Sequence, residues 1–305
     1  MVEIRAVEEC IQGLYTDGHV RGSTHLANGQ EAIAVGIASI IRTTDTVTCT
    51  YRGHAFALAL GISPEAVLGE ICGRAIGCAG GVGGSMHLSD RTVGLMPTFA
   101  IVGAGVPVAL GAALTAQTLG TDDIAVAVFG DGASNIGAIH ESMNLASVWK
   151  LPVVFVVENN LYGEYSALRT TTPTDDLAVR AAGYDIPSLI IDGQDIDVVR
   201  ASTIEAVARA RSGQGPTLIE AKTYRYSGHS RSDPATYRPD GELALWMARD
   251  PIDIASKALS STVIEARRAA VLRDVQEAVA TVLRSPPPEL SAAFEHVTST
   301  LGPDA

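Results

Sequence analysis

The sequence predicts an α/β protein in which helices flank a mostly parallel central sheet. Two apolar runs of strand length, at 124–129 and 153–157, lie on either side of a segment whose apolar residues have helical spacing. Strand, helix and strand in this order form a βαβ unit, whose two strands are parallel. The apolar runs at 188–192 and 216–221 enclose an amphipathic helix at 196–211 and repeat the pattern. Such alternation is typical of α/β folds.

The other elements follow from the same spacing rules, in which helices repeat every 3.6 residues and strands every two. In chain order we predict a helix at 3–16, an apolar helix that ends at Ile41, a strand at 47–50, a helix at 64–76 and a helical region from 239 to about 283. The prolines at 286–288 end the last helix. At this length the chain forms one large α/β domain or two small ones. We expect one domain at 1–284, followed by a C-terminal tail or short docking helix at 285–305.

The longest uncharged stretch runs from Val93 to Thr121 and is long enough to cross a bilayer. It contains two prolines, a glutamine and five glycines, and no hydrophobic stretch of similar length accompanies it. We therefore expect a buried segment and helix, packed on all sides, rather than a membrane span. A partner subunit could supply part of that burial.

Charge and cysteine content exclude some classes of protein. The chain has 305 residues, of which 34 are acidic and 22 are basic, and its formal net charge is −12. This balance argues against nucleic acid or an anionic membrane as the main partner. The four cysteines lack metal-ligand spacing, so we expect reduced thiols in a cytoplasmic protein. The charged amino terminus leads us to expect no signal peptide.

Polar residues follow both strands of the central βαβ unit. Gly130, Asp131 and Gly132 come directly after the first strand, and Asn159 and Asn160 end the second. Ligands of open α/β sheets bind at the carboxyl ends of the strands. Glycines allow close approach to a ligand, and free N–H groups at the start of a helix favour phosphate. Asp131 and Asn160 offer the oxygen donors that Mg²⁺ takes, with diphosphate oxygens and water completing its coordination.

The sequence has Gly-Asp-Gly at 130–132, then 26 residues, and then Asn-Asn at 159–160. This pattern resembles the fingerprint of thiamine diphosphate enzymes. Trp-Lys-Leu-Pro at 149–152 and Glu-Asn-Asn-x-Tyr-Gly at 158–163 more narrowly resemble the α subunit of the thiamine-dependent first component of 2-oxo acid dehydrogenase complexes, of the pyruvate, branched-chain and acetoin types. The resemblance covers residues 14–255, with five motifs in family order. It implies a thiamine diphosphate-binding fold of the diphosphate-binding type. An isolated Gly-Asp-Gly would instead favour a surface turn.

The resemblance implies a role for individual residues. Mg²⁺ would be bound by Asp131, Asn160 and the main-chain oxygen of Tyr162, and the catalytic residues would be His25 and His229. The residues that contact the cofactor would be Tyr51, Arg52, Ala100, Val102, Gly130, Asp131, Gly132, Ala133, Asn160, Tyr162 and His229. For the apolar pair at 101–102, core packing is also expected. His54 is as compatible with a structural role as with an active-site role.

Several positions depart from the family pattern. Ser23 and Thr24 make a smaller and more polar wall than that of pyruvate-type members, which leaves room for a larger or hydroxylated donor. Gly80 and Val82 stand where members often have lysines, so we interpret the glycine-rich loop around them as scaffold or interface. Ile136 replaces a polar residue beside the expected metal site.

The resemblance implies that the chain is the α subunit of a 2-oxo acid dehydrogenase. Such an enzyme decarboxylates a donor such as pyruvate and passes a two-carbon unit to the lipoyl group of an acyltransferase or carrier domain. No second domain is apparent for the pyrimidine half of the cofactor. The resemblance implies that a β subunit brings the glutamate that protonates this ring, in an assembly of two α and two β chains. Two alternatives remain: a ketose or acetoin donor with transketolase-like transfer, and a non-catalytic scaffold subunit.

Overall fold

The computed structural model describes residues 1–20 and 22–294. In chain order its strands are β1 (Thr46–Thr48), β2 (Ala125–Gly130), β3 (Val153–Asn159), β4 (Tyr162–Gly163), β5 (Ser166–Ala167), β6 (Ser188–Asp192) and β7 (Thr217–Lys222). A parallel sheet of five strands has the order β1–β2–β3–β7–β6, and β4 and β5 form a separate antiparallel hairpin. The predicted α/β architecture with a mostly parallel sheet is confirmed.

The helices are α1 (Val2–Thr16), α2 (Glu31–Ala38), α3 (His54–Ala59), α4 (Pro64–Ile71), α5 (Gly105–Leu119), α6 (Gly137–Trp149), α7 (Leu168–Thr171), α8 (Ile196–Arg211), α9 (Glu242–Met247), α10 (Pro251–Ser256) and α11 (Ser261–Arg284). Helix α4 is shorter than the predicted helix at 64–76 because Gly73, at a φ of +63°, turns the chain. The single helical region predicted from 239 is wrong. Asp250 caps the start of α10, which has a proline at its first position, and Ser260 caps the start of α11. The region therefore consists of separate helices.

Both faces of the three central strands of the parallel sheet, β2, β3 and β7, are buried. Along β2, Val126 and Val128 belong to one apolar cluster, while Ala127 and Phe129 belong to the other. Successive side chains of a strand point to opposite faces, so a strand covered on both faces is apolar throughout. The first cluster includes residues of α1, α2, α3, α4, α8 and α11, and the second includes residues of α5 and α6.

The central βαβ unit positions the two polar clusters found in the sequence. Strands β2 and β3 are neighbours, with Gly130 opposite Glu158. The residues that follow the two strands therefore lie side by side at the carboxyl edge of the sheet. A short 3₁₀ turn, Gly132–Asn135, connects β2 to α6 at this edge.

Helix α5 is buried on one face by its own chain, so the expected packing on all sides would need the partner subunit that the sequence also allows. Its inward face packs on β1 and β2 and buries Val106, Leu110 and Ala113. Its outward face leaves Leu114 and Leu119 exposed. The low charge of this segment therefore reflects one buried face and one exposed apolar face. Among the described residues, no helix is long and apolar enough to span a membrane.

The start of the predicted C-terminal tail contacts the loop after α4. The N–H of Ala75 donates to the carbonyl oxygen of Pro286 at 2.9 Å, and a 3₁₀ turn follows at Leu290–Phe294. The domain division after residue 284 stays a prediction. Residues 295–305 of the tail lie outside the described residues, as does Arg21, which begins the motif that contains His25.

Candidate active site

A cavity of about 490 Å³ opens at the carboxyl edge of β1, β2 and β3. The residues predicted from the sequence to form the site all line this cavity. They are His25, Tyr51, Arg52, Ala100, Val102, Gly130, Asp131, Gly132, Ala133, Asn160, Tyr162 and His229. The structure thus brings together residues that span more than 200 positions of sequence, while the chemical role of each stays a prediction.

Two oxygen-bearing side chains, Asp131 and Asn160, line the cavity just beyond the ends of β2 and β3. Asp131 is 1% exposed, and its Oδ2 has no hydrogen-bond partner in the described part of the chain. Burial raises the pKa of this carboxyl to about 6, although the N–H of Gly132 opposes the rise. Asn160 donates through Nδ2 to Oε1 of Gln30 at 3.3 Å, and its Oδ1 accepts the N–H of Tyr162 at 3.4 Å. A buried acceptor without a partner is unfavourable unless a cation or donor binds there.

The set of ligands at this edge would suit a cation that is bound together with another molecule. Within residues 1–20 and 22–294, no group of three or more His, Cys, Asp or Glu side chains could hold a metal. One carboxylate and one amide leave several positions of an octahedral ion to main-chain oxygen, water or phosphate. The site fits Mg²⁺ bound through a diphosphate better than a cation held by protein side chains alone.

Gly132 is required by the packing of the fold. A Cβ at this position would lie 2.8 Å from the Cα of Gly163, in the β4–β5 hairpin. No side chain fits at that distance. The close contact presses the hairpin against the turn after β2, and it brings Tyr162, which the hairpin contains, to the cavity wall. The hydroxyl of Tyr162 donates to Glu242 at 2.5 Å and fixes the ring from outside.

Three rings form a cluster at one end of the cavity. The ring of His25 lies 4.4 Å from that of Tyr51 and 5.0 Å from that of His229. Burial, followed by the charge of Arg52, lowers the pKa of His25 to about 3 and that of His229 to about 4. Both imidazoles are therefore neutral at pH 7, and burial and the nearby arginines disfavour their protonated forms.

Arg52 joins the two histidine-bearing loops. It is buried, and its terminal nitrogens donate to the carbonyl oxygens of Leu26, at 2.5 Å, and of His229, at 2.8 Å. Burial, with the nearby charge of Arg225, lowers its pKa to about 10. Each terminal nitrogen has a second N–H, so the guanidinium can hold the loops and still donate to an anion. The resemblance predicts only the second of these roles.

Two further buried residues of the cavity were not assigned a role from the sequence. Arg225 donates to the carbonyl oxygen of Glu164 and to the hydroxyl of Tyr237, but its Nε and Nη1 have no partner among the residues described. Glu158 lies at the end of β3, and burial raises its pKa to about 7 against the opposing charge of Arg52. Both residues belong to motifs recognised in the sequence, but nothing local shows that their side chains turn into the cavity.

The loop after residue 99 corrects one expectation. Ile101 is 74% exposed and Val102 is 44% exposed, so core packing of this pair is wrong. Ala100 is not among the residues with positive φ, and its main chain therefore tolerates the replacement of glycine that is common in the family. Ile136 packs against Gly103 of the same loop, which explains an apolar residue at that position.

Glu70 organises the glycine-rich loop as scaffold. This carboxylate is fully buried and accepts main-chain N–H groups at 2.6–3.1 Å. The donors are Ala79, Gly81, Gly83 and Gly84. The imidazole of His54 lies between Glu8, at 3.1 Å, and the hydroxyl of Ser85, at 2.9 Å. His54 is buried and does not line the cavity, so the structure favours its structural role.

Replacing Glu70 with alanine is expected to lower the free energy of unfolding by about 3 kcal/mol or more, because several buried N–H groups lose their acceptor. Urea denaturation of the variant measures this loss. The matched control is Glu65→Ala, on the more exposed part of the same helix, for which we expect a change of less than about 1 kcal/mol. Equal stability of the two variants would show that Glu70 does not hold the loop.

Comparison with known proteins places these observations in a family. The family model of the dehydrogenase E1 component matches residues 1–291. The α subunit of acetoin:2,6-dichlorophenolindophenol oxidoreductase from Bacillus subtilis is 44% identical, over 79% of this chain and 73% of that protein. The chloroplastic pyruvate dehydrogenase E1 subunit alpha-3 of Arabidopsis thaliana is 38% identical, over 100% and 75%. The pyruvate dehydrogenase E1 α subunit of Rhizobium meliloti is 41% identical, over 83% and 73%.

Proposed function

The chain belongs to the dehydrogenase E1 component family, and we propose that it is the α subunit of a thiamine diphosphate-dependent 2-oxo acid dehydrogenase. The enzyme would decarboxylate a pyruvate-like donor and pass a two-carbon unit to a lipoyl group. The observation that carries the proposal is the convergence of the family's motif residues on one cavity at the carboxyl edge of the sheet. Similarity to α subunits named for pyruvate and for acetoin supports the same reaction class.

In this proposal the cavity binds thiamine diphosphate together with Mg²⁺. Asp131, Asn160 and the main-chain oxygen of Tyr162 would hold the cation. The unpartnered Oδ2 of Asp131, within the described chain, supports this assignment because a cation would satisfy it. Thiamine diphosphate, when bound, supplies the electron sink that decarboxylation of a 2-oxo acid requires.

Cationic and N–H groups around the cation site would bind the diphosphate. The second N–H groups of Arg52 and the unpartnered N–H groups of Arg225, which have no acceptor among the described residues, are donors at the cavity wall. Guanidinium groups match phosphate oxygens, and burial strengthens the interaction because water does not screen it. The main-chain N–H groups at Gly132 and Ala133 would add neutral donors, and Tyr51 and His229 would complete the contacts.

His25 and His229 would bind the donor carboxylate and move protons. Both are neutral at pH 7, and their lowered pKa values disfavour protonation in the absence of a bound anion. The charge of a bound donor carboxylate would raise these pKa values and allow each imidazole to accept a proton and return it later. Phe99 and Met86 add apolar wall to the cavity and limit the access of water. Ser23 lies on the same wall, where it would contact the donor.

A β subunit would complete the site. The loop with Ile101 and Val102 borders the cavity and exposes both side chains, and the outward face of α5 continues this apolar surface. Exposed apolar patches of this kind mark protein interfaces. We propose an assembly of two α and two β chains, whose product would be transferred to a lipoyl-bearing acyltransferase or carrier domain.

The test is an assay of the α and β chains produced together. Pyruvate, acetoin and a ketose phosphate are offered separately, and acylation of a lipoyl domain is measured by mass spectrometry. We expect acylation with pyruvate that depends on thiamine diphosphate and Mg²⁺. Transfer from acetoin or the ketose alone would favour the alternative donor class. A complex that binds the cofactor but acylates nothing with any donor would contradict the proposed reaction.

A further inference from the structure

Gln30 is a buried residue that contacts the candidate metal site without lining the cavity. It is 1% exposed and lies at the start of α2. Its Oε1 accepts from Nδ2 of Asn160 at 3.3 Å. Its Nε2 has no hydrogen-bond partner within the described ranges, although the amide lies close enough to Glu158 to lower the pKa of that carboxyl against the larger effect of burial. Gln30 therefore contacts the side chain of Asn160 and faces the carboxylate of Glu158, which turns the NH₂ group of Gln30 toward Glu158 and its Oε1 toward Asn160.

The orientation of the Asn160 amide decides what this residue offers to a cation. An asparagine side chain has an oxygen that can bind a cation and an NH₂ group that repels it. The NH₂ group of Asn160 donates to Oε1 of Gln30, and the N–H of Tyr162 donates to Oδ1 of Asn160. A rotation of the amide by 180° would place two N–H donors against each other at Tyr162 and two oxygens against each other at Gln30. The two contacts thus select the orientation in which Oδ1 is the available ligand atom.

Gln30 is itself held firmly by neighbouring elements. Its main-chain N–H donates to Ala27, and the N–H of Gly29 donates to the carboxylate of Glu31 at 3.0 Å. That carboxylate forms a buried ion pair with Arg5 of α1. Gly29 has a φ of +93°, and a Cβ there would lie within 2.7 Å of the ring of Tyr226. The loop therefore has little freedom to move Gln30 away from Asn160.

We propose that Gln30 is a positioning residue of the metal site, which sets the amide of Asn160 so that its oxygen faces the cation. The inference rests on the proposed function, because it takes Asn160 as a ligand of Mg²⁺. Residues that orient a metal ligand from behind commonly contribute a factor of 10–100 to metal affinity. The side chain of Gln30 would supply that support from the start of α2, a helix whose residues do not line the cavity.

The experiment measures the affinity of the α–β complex for thiamine diphosphate by calorimetry at limiting Mg²⁺. Gln30→Met keeps the size of the side chain and removes its acceptor, and we expect the Kd to rise about tenfold. Gln30→Glu keeps an acceptor at the same reach but faces the buried carboxyl of Glu158, so we expect its Kd to lie between those of the wild type and Gln30→Met. Thermal unfolding of each complex confirms that the variants are folded, and Gln30→Leu, which also lacks the acceptor, carries the test if Gln30→Met does not fold.

Repeating the measurement in an Asn160→Asp variant shows whether Gln30 acts by orienting the side chain of residue 160 or by stabilising the site in general. Asn160→Asp has two equivalent oxygens and needs no orientation. In this background we expect Gln30→Met to change the Kd by less than about twofold. An equal loss in both backgrounds, or no loss in the wild-type background, would overturn the proposal. The same titration of Asp131→Ala tests the proposed metal site separately from the role of Gln30. If Mg²⁺-dependent binding of thiamine diphosphate survives in Asp131→Ala, the metal site is wrong, and the proposed function is wrong with it.

Discussion

Replacement of Asp131 by alanine is expected to abolish Mg²⁺-dependent binding of thiamine diphosphate and to lower turnover by at least about 10³-fold. The carboxylate is the one charged side chain that the proposed site offers to the cation. A bound metal stabilises developing charge by several kcal/mol, and each 1.4 kcal/mol corresponds to about tenfold in rate or affinity. Calorimetry and steady-state assays of the α–β complex measure both effects.

The matched control for this variant is Asp240→Ala, which removes an exposed aspartate that does not line the cavity. We expect it to bind cofactor and turn over as the wild type does. Asp131→Asn adds a finer comparison, since it keeps an oxygen ligand without the charge and should retain weak binding at high Mg²⁺. Normal turnover of Asp131→Ala would rule out the metal site.

Replacement of His25 by alanine is expected to lower turnover by about 10²–10⁴-fold while the Kd for thiamine diphosphate changes less than about threefold. A positioned proton acceptor contributes rate enhancement of this size. His25 is neutral at pH 7 and lies in van der Waals reach of Tyr51 and His229, at the donor end of the cavity rather than at the cation site. The comparison of turnover with cofactor affinity therefore separates its chemistry from binding.

His19→Ala is the control for this prediction because His19 is exposed and does not line the cavity. Its turnover should equal that of the wild type. If His25→Ala instead weakens cofactor binding as strongly as it lowers turnover, the role of His25 would be to support the cofactor site and not to move protons.

Much of the candidate site could be predicted from sequence because its parts are local. The strands on either side of α6 are fully buried and therefore continuously apolar, which makes them easy to recognise. Parallel strands end at one edge of a sheet, so Asp131 and Asn160 were expected to meet although 28 residues separate them. The loops that carry His25 and His229 were recognised by their resemblance to family motifs, and the fold brings these loops together at the same edge of the sheet.

Other features depend on contacts that no local pattern encodes. The sequence does not show which face of α5 its own chain leaves exposed, because an apolar segment packs equally well in its own chain or in a partner. Arg225 turns its guanidinium into the cavity only because Tyr237 and Glu164 hold it there. The contact between Gln30 and Asn160 joins residues 130 positions apart, which sequence spacing cannot show.

The most direct test of the central claim is a crystal structure of the α–β complex with thiamine diphosphate and Mn²⁺ in place of Mg²⁺. Anomalous scattering locates the manganese independently of the protein atoms. We predict one manganese bonded to an oxygen of Asp131, to Oδ1 of Asn160 and to the diphosphate. A manganese elsewhere, with both side chains turned away from it, would contradict the account.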